Sequence, residues 1–379
     1  MSPQFIAHIE TPALLLEAGR MNKNIARMRE QLARLDVGFR PHVKTAKCAE
    51  VALAMSGGAP GPITVSTLRE ADYFAERGFT DILYAVGITP NKLDHVAALL
   101  KRGVKLGVIL DNIDAARALA GAAHGLPARL SALIEIDCDG HRAGVLPDSA
   151  DLSAIADTLA RAGIDVAGVM THAGASYECR GEAALRAMAE QERARTVRAA
   201  EHLREAGHAA PIVSVGSTPT ALFAQNLDGV TEVRAGVFVF FDLVMAGLGV
   251  CRIDDIALSV LTTVIGHQRE KGWTIVDAGW MALSRDRGTA AQSVDQGFGL
   301  VCDVNGIALP DYIMVSANQE HGILAHRDKI AGKPLDLPVG TQLRILPNHA
   351  CATGAQHARY HVVDASLDVA ARWERFSGW

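Results

Sequence analysis

No apolar run in this chain is long enough to span a bilayer. Its first ten residues also lack a charged leader followed by an apolar core. The expectation is a cytoplasmic protein without a membrane partner. A basic excess is missing as well: 37 Lys and Arg against 42 Asp and Glu leave a net charge of -5. No positive surface therefore advertises nucleic acid, and a small molecule is the default ligand. Cysteine is sparse and irregular. Cys48, Cys138, Cys179, Cys251, Cys302 and Cys351 show no paired spacing, which argues against a disulfide framework and against a Cys-rich zinc module. The G-x-G-x-x-G turn of a dinucleotide fold is absent after the first strand candidate. There is no fixed-period repeat and no low-complexity tract.

What is present is 379 residues, 49% of them hydrophobic, enough for two domains or one large barrel with an added module. Short β-branched runs alternate with amphipathic stretches through the first two-thirds of the chain. That is the pattern of parallel strands joined by helices. Eight strand candidates fall at residues 37–43, 63–66, 82–86, 106–110, 132–137, 166–172, 212–216 and 232–237. Helical patterns lie between them, for example at 66–77, 91–102, 152–162 and 183–205. Eight such units predict an α/β fold, a (β/α)8 TIM-type barrel over residues 18–250. Beyond about residue 250, strands at 258–266, 273–277, 312–317 and 342–346 follow one another without long helices. These predict a mainly β C-terminal domain. The strand-like opening at 5–16 can pair with it, making a discontinuous β domain of residues 1–17 with 251–379.

Active sites of such barrels lie at the C-terminal ends of the strands, often with a phosphate site after strands seven and eight. Strand seven ends in Gly216-Ser217-Thr218-Pro219-Thr220, and strand eight runs into Gly236 and Val237. Glycines admit backbone N-H groups to phosphate oxygens, and hydroxyls and a helix start near Pro219 add to the cradle. A plain turn with an N-cap accounts for the same residues. Lys44 closes strand one, where its side chain would enter the barrel mouth. A lysine near a phosphate cradle can carry an aldehyde cofactor such as pyridoxal phosphate as an imine. Once substrate displaces it, the freed amine can act as base toward a Cα proton. Strands five and six place Arg142, His172 and Tyr177 at the same rim. There Arg142 can face the cofactor's phenolic oxygen, His172 can stack on its ring and Tyr177 can reach the phosphate; solvated loop positions are the plain alternative.

Near the C-terminus, His349 and Cys351 stand two residues apart, on one side of the chain if it is extended. Imidazole and thiolate are ligands for a borderline-soft divalent metal. Two are too few for a structural site, so a real pair implies an open, catalytic metal. The segment Gln319-Glu320-His321-Gly322 offers a third ligand or a supporting shell.

With these residues in view, the whole chain resembles the D-threonine aldolase and D-serine dehydratase family of fold-type III pyridoxal-phosphate enzymes, whose barrel is also similar to that of alanine racemase. The likeness is carried by Arg-Pro-His-Val-Lys-Thr (40–45), Thr-Val-Ser-Thr-Leu (64–68), Asp-Gly-His-Arg (139–142), Thr-His-Ala-Gly (171–174), Val-Gly-Ser-Thr-Pro-Thr (215–220), Asp-Ala-Gly-Trp-Met-Ala (277–282) and Pro-Asn-His-Ala-Cys-Ala-Thr-Gly (347–354). It implies the cofactor lysine at Lys44, phosphate binding around Tyr177, Thr218, Gly236 and Val237, and a divalent metal (Mn, Mg, Co or Zn) on His349 and Cys351. Where the related D-serine dehydratases are expected to place a Tyr near the pyridine nitrogen, this chain has Met170. The aldolase branch resembles His-x-Asp at the metal, the dehydratase branch His-x-Cys, and this chain has the second.

The expected activity is therefore a dehydratase, a lyase converting D-threo-3-hydroxyaspartate to oxaloacetate and ammonia, with D-serine and other 3-hydroxyaspartate isomers as lesser substrates. A D-threonine-type aldolase releasing glycine and an aldehyde is the alternative enzyme. A non-catalytic pyridoxal-phosphate carrier is disfavoured by the added β domain. Resemblance to alanine racemase implies a homodimer.

Overall fold

The computed structural model describes residues 4–328, 333–364 and 366–379. Residues 1–3 of the expected N-terminal strand segment lie outside these. The chain forms two compact units, Arg27–Gly236 with Gly378–Trp379, and Met1–Ala26 with Val237–Ser377.

The first unit holds eight parallel strands in the order Gly38–Phe39, Glu232–Val233, Ile212–Val215, Asp165–Thr171, Ser131–Ile136, Lys105–Leu110, Asp81–Gly87 and Ile63–Val65. A parallel bridge between His42 and Thr64 joins the two ends of this order, so the ring closes. The strands are apolar almost throughout because helices cover one face and the barrel interior covers the other. Leu83, Ile109, Leu133, Ala167 and Met170 form one buried cluster across four neighbouring strands. Met170 is thus packed among hydrocarbon and has no polar atom to offer a ring nitrogen.

Helices follow the strands with conventional starts. The Thr67 and Asn112 side chains accept the N-H of Glu70 and Ala115, capping Leu68–Ala75 and Ile113–Ala122 at 2.9 and 2.8 Å. Arg40 stitches the closure. Its guanidinium pairs with Glu232 at 2.9 Å and with Asp81 at 2.6 Å, linking the first strand to its neighbour on one side and to the next strand but one on the other.

The second unit carries a ten-stranded sheet. Leu258–Gln268 pairs with Trp273–Val276 on one side and with Gln342–Leu346 on the other. Through Gly322–His326, Ala308–Ala317 and Leu300–Cys302 these strands return on themselves, an antiparallel ring of six that leaves no open edge there. Ala13–Glu17 adds to Leu258–Gln268, followed by Arg359–Val363 and Asp368–Glu374, with Gln4–Phe5 outermost. The expected pairing of the N-terminal segment with the C-terminal sheet is therefore realised, with Leu14, Leu15 and Leu16 fully buried.

Candidate active site

Lys44 sits in a turn immediately after the bridge at His42, exposed while Pro41, His42, Val43, Thr45 and Ala46 around it are buried. The rigid frame is apolar and bonded: Val43 N-H donates to the Thr64 carbonyl at 3.0 Å, and Lys47 N-H returns to Val43 at 2.8 Å. The neighbouring Lys47 is tied to the buried Glu70 at 3.1 Å. An exposed amine on a turn at a strand end can take part in carbonyl chemistry.

His172 follows the strand Asp165–Thr171, and its Nδ1-H donates to the Gly216 carbonyl at 2.8 Å. That bond fixes the tautomer and leaves Nε2 as an acceptor. Enclosure by protein pushes its pKa down to about 3, against the Gly216 bond and with the help of the cations Lys44, Arg142 and Arg234. His42 is lowered as well, first by burial and then by Lys44 and Arg234. Burial is the main reason both imidazoles stay neutral, and the cations Lys44 and Arg234 add to it at each ring.

Arg142 follows the strand Ser131–Ile136 and pairs with the buried Glu135 at 3.2 Å, with its side chain 58% exposed. Tyr177 ends the turn Gly174–Tyr177 and is exposed. Asp139 ties the two loops together, accepting the Ala175 N-H at 2.8 Å.

At the seventh strand end the plain reading of the sequence is also physically true. Ser217 is buried and caps the helix Thr218–Phe223, its hydroxyl meeting Thr220 at 2.9 Å and Ser176 at 3.0 Å. Thr218 is buried in the first turn. The glycines earn their place through barrel packing: a Cβ on Gly216 would lie 1.8 Å from the Arg234 carbonyl oxygen, and one on Gly236 would lie 2.8 Å from that of His42. Val237, the next residue, begins the other unit and is buried. Three supports were not singled out in the sequence. Glu192 accepts the N-H groups of Ala173 at 3.0 Å and Gly216 at 3.1 Å, binding two strand ends to the helix Glu182–Glu205. Arg234 donates to Ser214 at 2.9 Å and to the Thr171 carbonyl. Glu135 is the third.

In the other unit, His349 is extended but the chain turns helical at Ala350, so Cys351 lies in the first turn of Ala350–Gly354 rather than on an extended strand. This corrects the extended H-x-C geometry. His349 Nδ1 meets Asp286 Oδ2 at 2.8 Å, and the imidazole also bonds the Cys351 thiol. Burial disfavours its charged form, yet Asp286, Cys351 and Asp242 outweigh burial and raise its pKa to about 11. Asp286 is correspondingly lowered, chiefly by the bond to His349. A residue that supports His349 is thus Asp286, which was not expected from the sequence. Among the described residues no group of three or more His, Cys, Asp and Glu side chains is arranged to hold a metal. The His349 imidazole and the Cys351 thiol are two donors of the right chemistry, so a divalent cation there would have to be completed by water or substrate.

Comparison with known proteins agrees with this division. Residues 16–244 match the alanine racemase N-terminal domain family, and residues 257–363 match a putative serine dehydratase domain. The chain is 54% identical to D-threo-3-hydroxyaspartate dehydratase of Delftia sp. (strain HT23), over 98% of both sequences. It is 31% identical to D-serine dehydratase of Dictyostelium discoideum, over 99% of this chain and 98% of that one. Among solved structures, a cysteine-to-alanine mutant of D-threo-3-hydroxyaspartate dehydratase in the metal-free form superposes with a TM-score of 0.97 at 52% identity, covering 99% of this chain and all of that one. The chain therefore belongs to the D-threonine aldolase and D-serine dehydratase family of fold-type III pyridoxal-phosphate enzymes, with an alanine racemase-like barrel.

Proposed function

We propose that this chain is a pyridoxal-phosphate- and divalent-metal-dependent dehydratase that converts D-threo-3-hydroxyaspartate to oxaloacetate and ammonia. The observation that carries the reading is the exposed amine of Lys44 on a turn of buried residues after the bridge at His42, in a chain 54% identical to the Delftia dehydratase. Bound pyridoxal phosphate supplies an electron sink that acidifies the substrate Cα-H, and a divalent metal supplies a Lewis acid for the β-hydroxyl.

The residues of the chain do the rest. Lys44 Nζ holds the cofactor covalently and, once released, takes the Cα proton. Neutral His172 presents an imidazole face and adds no charge that would compete for electrons. Arg142, steadied by Glu135, would face the phenolic oxygen. Tyr177, Thr218, Gly236 and Val237 would receive the phosphate, while Ser217 keeps the helix start in shape. His349 and Cys351 would hold the metal, which would supply a Lewis acid for the hydroxide leaving Cβ. Loss of water leaves an enamine that takes water back at Cα and releases ammonia, so atoms balance. The alanine racemase-like barrel supports a homodimer as the working form.

The test is to incubate the protein with pyridoxal phosphate and manganese, zinc, cobalt or magnesium and to assay D-threo-3-hydroxyaspartate, D-serine and D-threonine. Ammonia and keto acid, fastest from D-threo-3-hydroxyaspartate, are expected. Turnover of none of the three with any metal would overturn the proposal.

A further inference from the structure

We infer that Asp286 is the positioning residue of the proposed metal site: it fixes the proton of His349 on Nδ1 and so presents Nε2 to the cation. The inference rests on the metal reading above and goes beyond it, since neither resemblance nor spacing pointed to Asp286.

The carboxylate is itself held at both ends. Its Oδ1 accepts the Gly288 N-H at 2.7 Å, and its Oδ2 meets His349 Nδ1 at 2.8 Å. Its backbone is tied to the residue preceding His349, because Asn348 Nδ2 donates to the Asp286 carbonyl at 3.0 Å and to Gly297 at 2.7 Å. Thr289, the residue after Gly288, donates in turn to Asn348 Oδ1 at 3.1 Å. Behind the ligand pair, the buried Asp242 accepts the N-H of Ala350 at 3.0 Å while capping Leu243–Gly247 through Met245 at 3.0 Å. The Asp286 carboxylate and the backbone beside both residues are therefore held by hydrogen bonds. An incidental surface ion pair has no such bracing, and its long side chains wander.

The chemistry follows from the tautomer. A metal binds only the neutral imidazole, which has one N-H and one lone pair, and a carboxylate at Nδ1 takes the N-H. Only Nε2 is then able to bind a metal, and its basicity is raised by the anion behind it. Outer carboxylates of this kind are worth roughly 10–100-fold in metal affinity.

The experiment uses the pyridoxal-phosphate-loaded protein. Manganese and zinc affinities are measured by competition with a chromophoric chelator for the wild type, Asp286→Asn and Asp286→Ala, with the cofactor's visible absorbance as a check on the fold. Both substitutions are expected to weaken binding 10–100-fold while the absorbance stays. In parallel, long-range nitrogen-proton spectra of the zinc-loaded wild type are expected to place zinc on Nε2 and the proton on Nδ1 of His349. Affinities within twofold of wild type in both variants would overturn the inference. So would zinc on Nδ1, which decides the matter even if neither variant folds. Failure of the underlying metal reading looks different: the wild type itself would take up no metal that His349→Ala abolishes.

Discussion

At the scale of single residues, Lys44 and the pair His349 and Cys351 should separate cleanly. Lys44→Ala is expected to abolish turnover together with the visible absorbance of the lysine-bound cofactor. Cys351→Ala, or a chelator, should abolish turnover and leave that absorbance, read on the same spectrophotometer; undiminished activity would remove the metal from the reaction. The depressed pKa of His172 has a further consequence. The unfolded chain takes up a proton near pH 6.5, whereas folded His172 waits until about 3. The unfolded state therefore binds more protons across that window, and stability falls as pH drops through it. His172→Asn should lose less stability than wild type between pH 7.5 and 5.5, by about 1.3 kcal/mol, as read by urea unfolding of the cofactor-free proteins.

Lys44, His349 and Cys351 could be nominated from the sequence because their motifs are local. Asp286 was not, because it meets His349 across 63 positions of chain, and neither was Glu192, which meets Gly216 across 24. A carboxylate in a loop or on a long helix carries no mark of such a partner.

At the scale of elements, all eight barrel strands could be read from their apolar runs, since parallel strands buried on both faces have no polar period to confuse with a loop. The ends were harder. The first strand was expected over 37–43 but pairs only at Gly38–Phe39 before the bridge at His42, because the chain must turn to raise Lys44. The closure of the β strands into a ring of six was not legible, as it depends on Gln342–Leu346 returning to Leu258–Gln268.

Two substitutions probe the barrel. Gly216, at φ +155, has no room for a Cβ against the Arg234 carbonyl. Gly216→Ala is expected to cost at least about 2 kcal/mol and to weaken cofactor binding, measured by thermal unfolding and absorbance titration. Removing Arg40 leaves Glu232 without its ion-pair partner, while Asp81 keeps Lys105 at 3.1 Å. Because those groups are only partly buried, Arg40→Met should cost about 2 kcal/mol, less than breaking a fully buried pair.

At the scale of the whole molecule, the proposal draws Lys44 from the barrel unit and His349 and Cys351 from the β unit. The β unit depends on its N-terminal strand, which lies between Arg359–Val363 and Leu258–Gln268 and buries three consecutive leucines. Deleting residues 1–17 is expected to yield insoluble protein, because each lost leucine alone is worth about 2–5 kcal/mol. No helix among the described residues is long and apolar enough to cross a membrane.

Dehydration and retro-aldol cleavage differ at one bond of one substrate, and the carbon balance of D-threo-3-hydroxyaspartate distinguishes them. With pyridoxal phosphate and manganese, a stoichiometric yield of four-carbon oxaloacetate and ammonia, with no glycine, is the expected result. Glycine with a two-carbon aldehyde as the products would contradict the dehydratase.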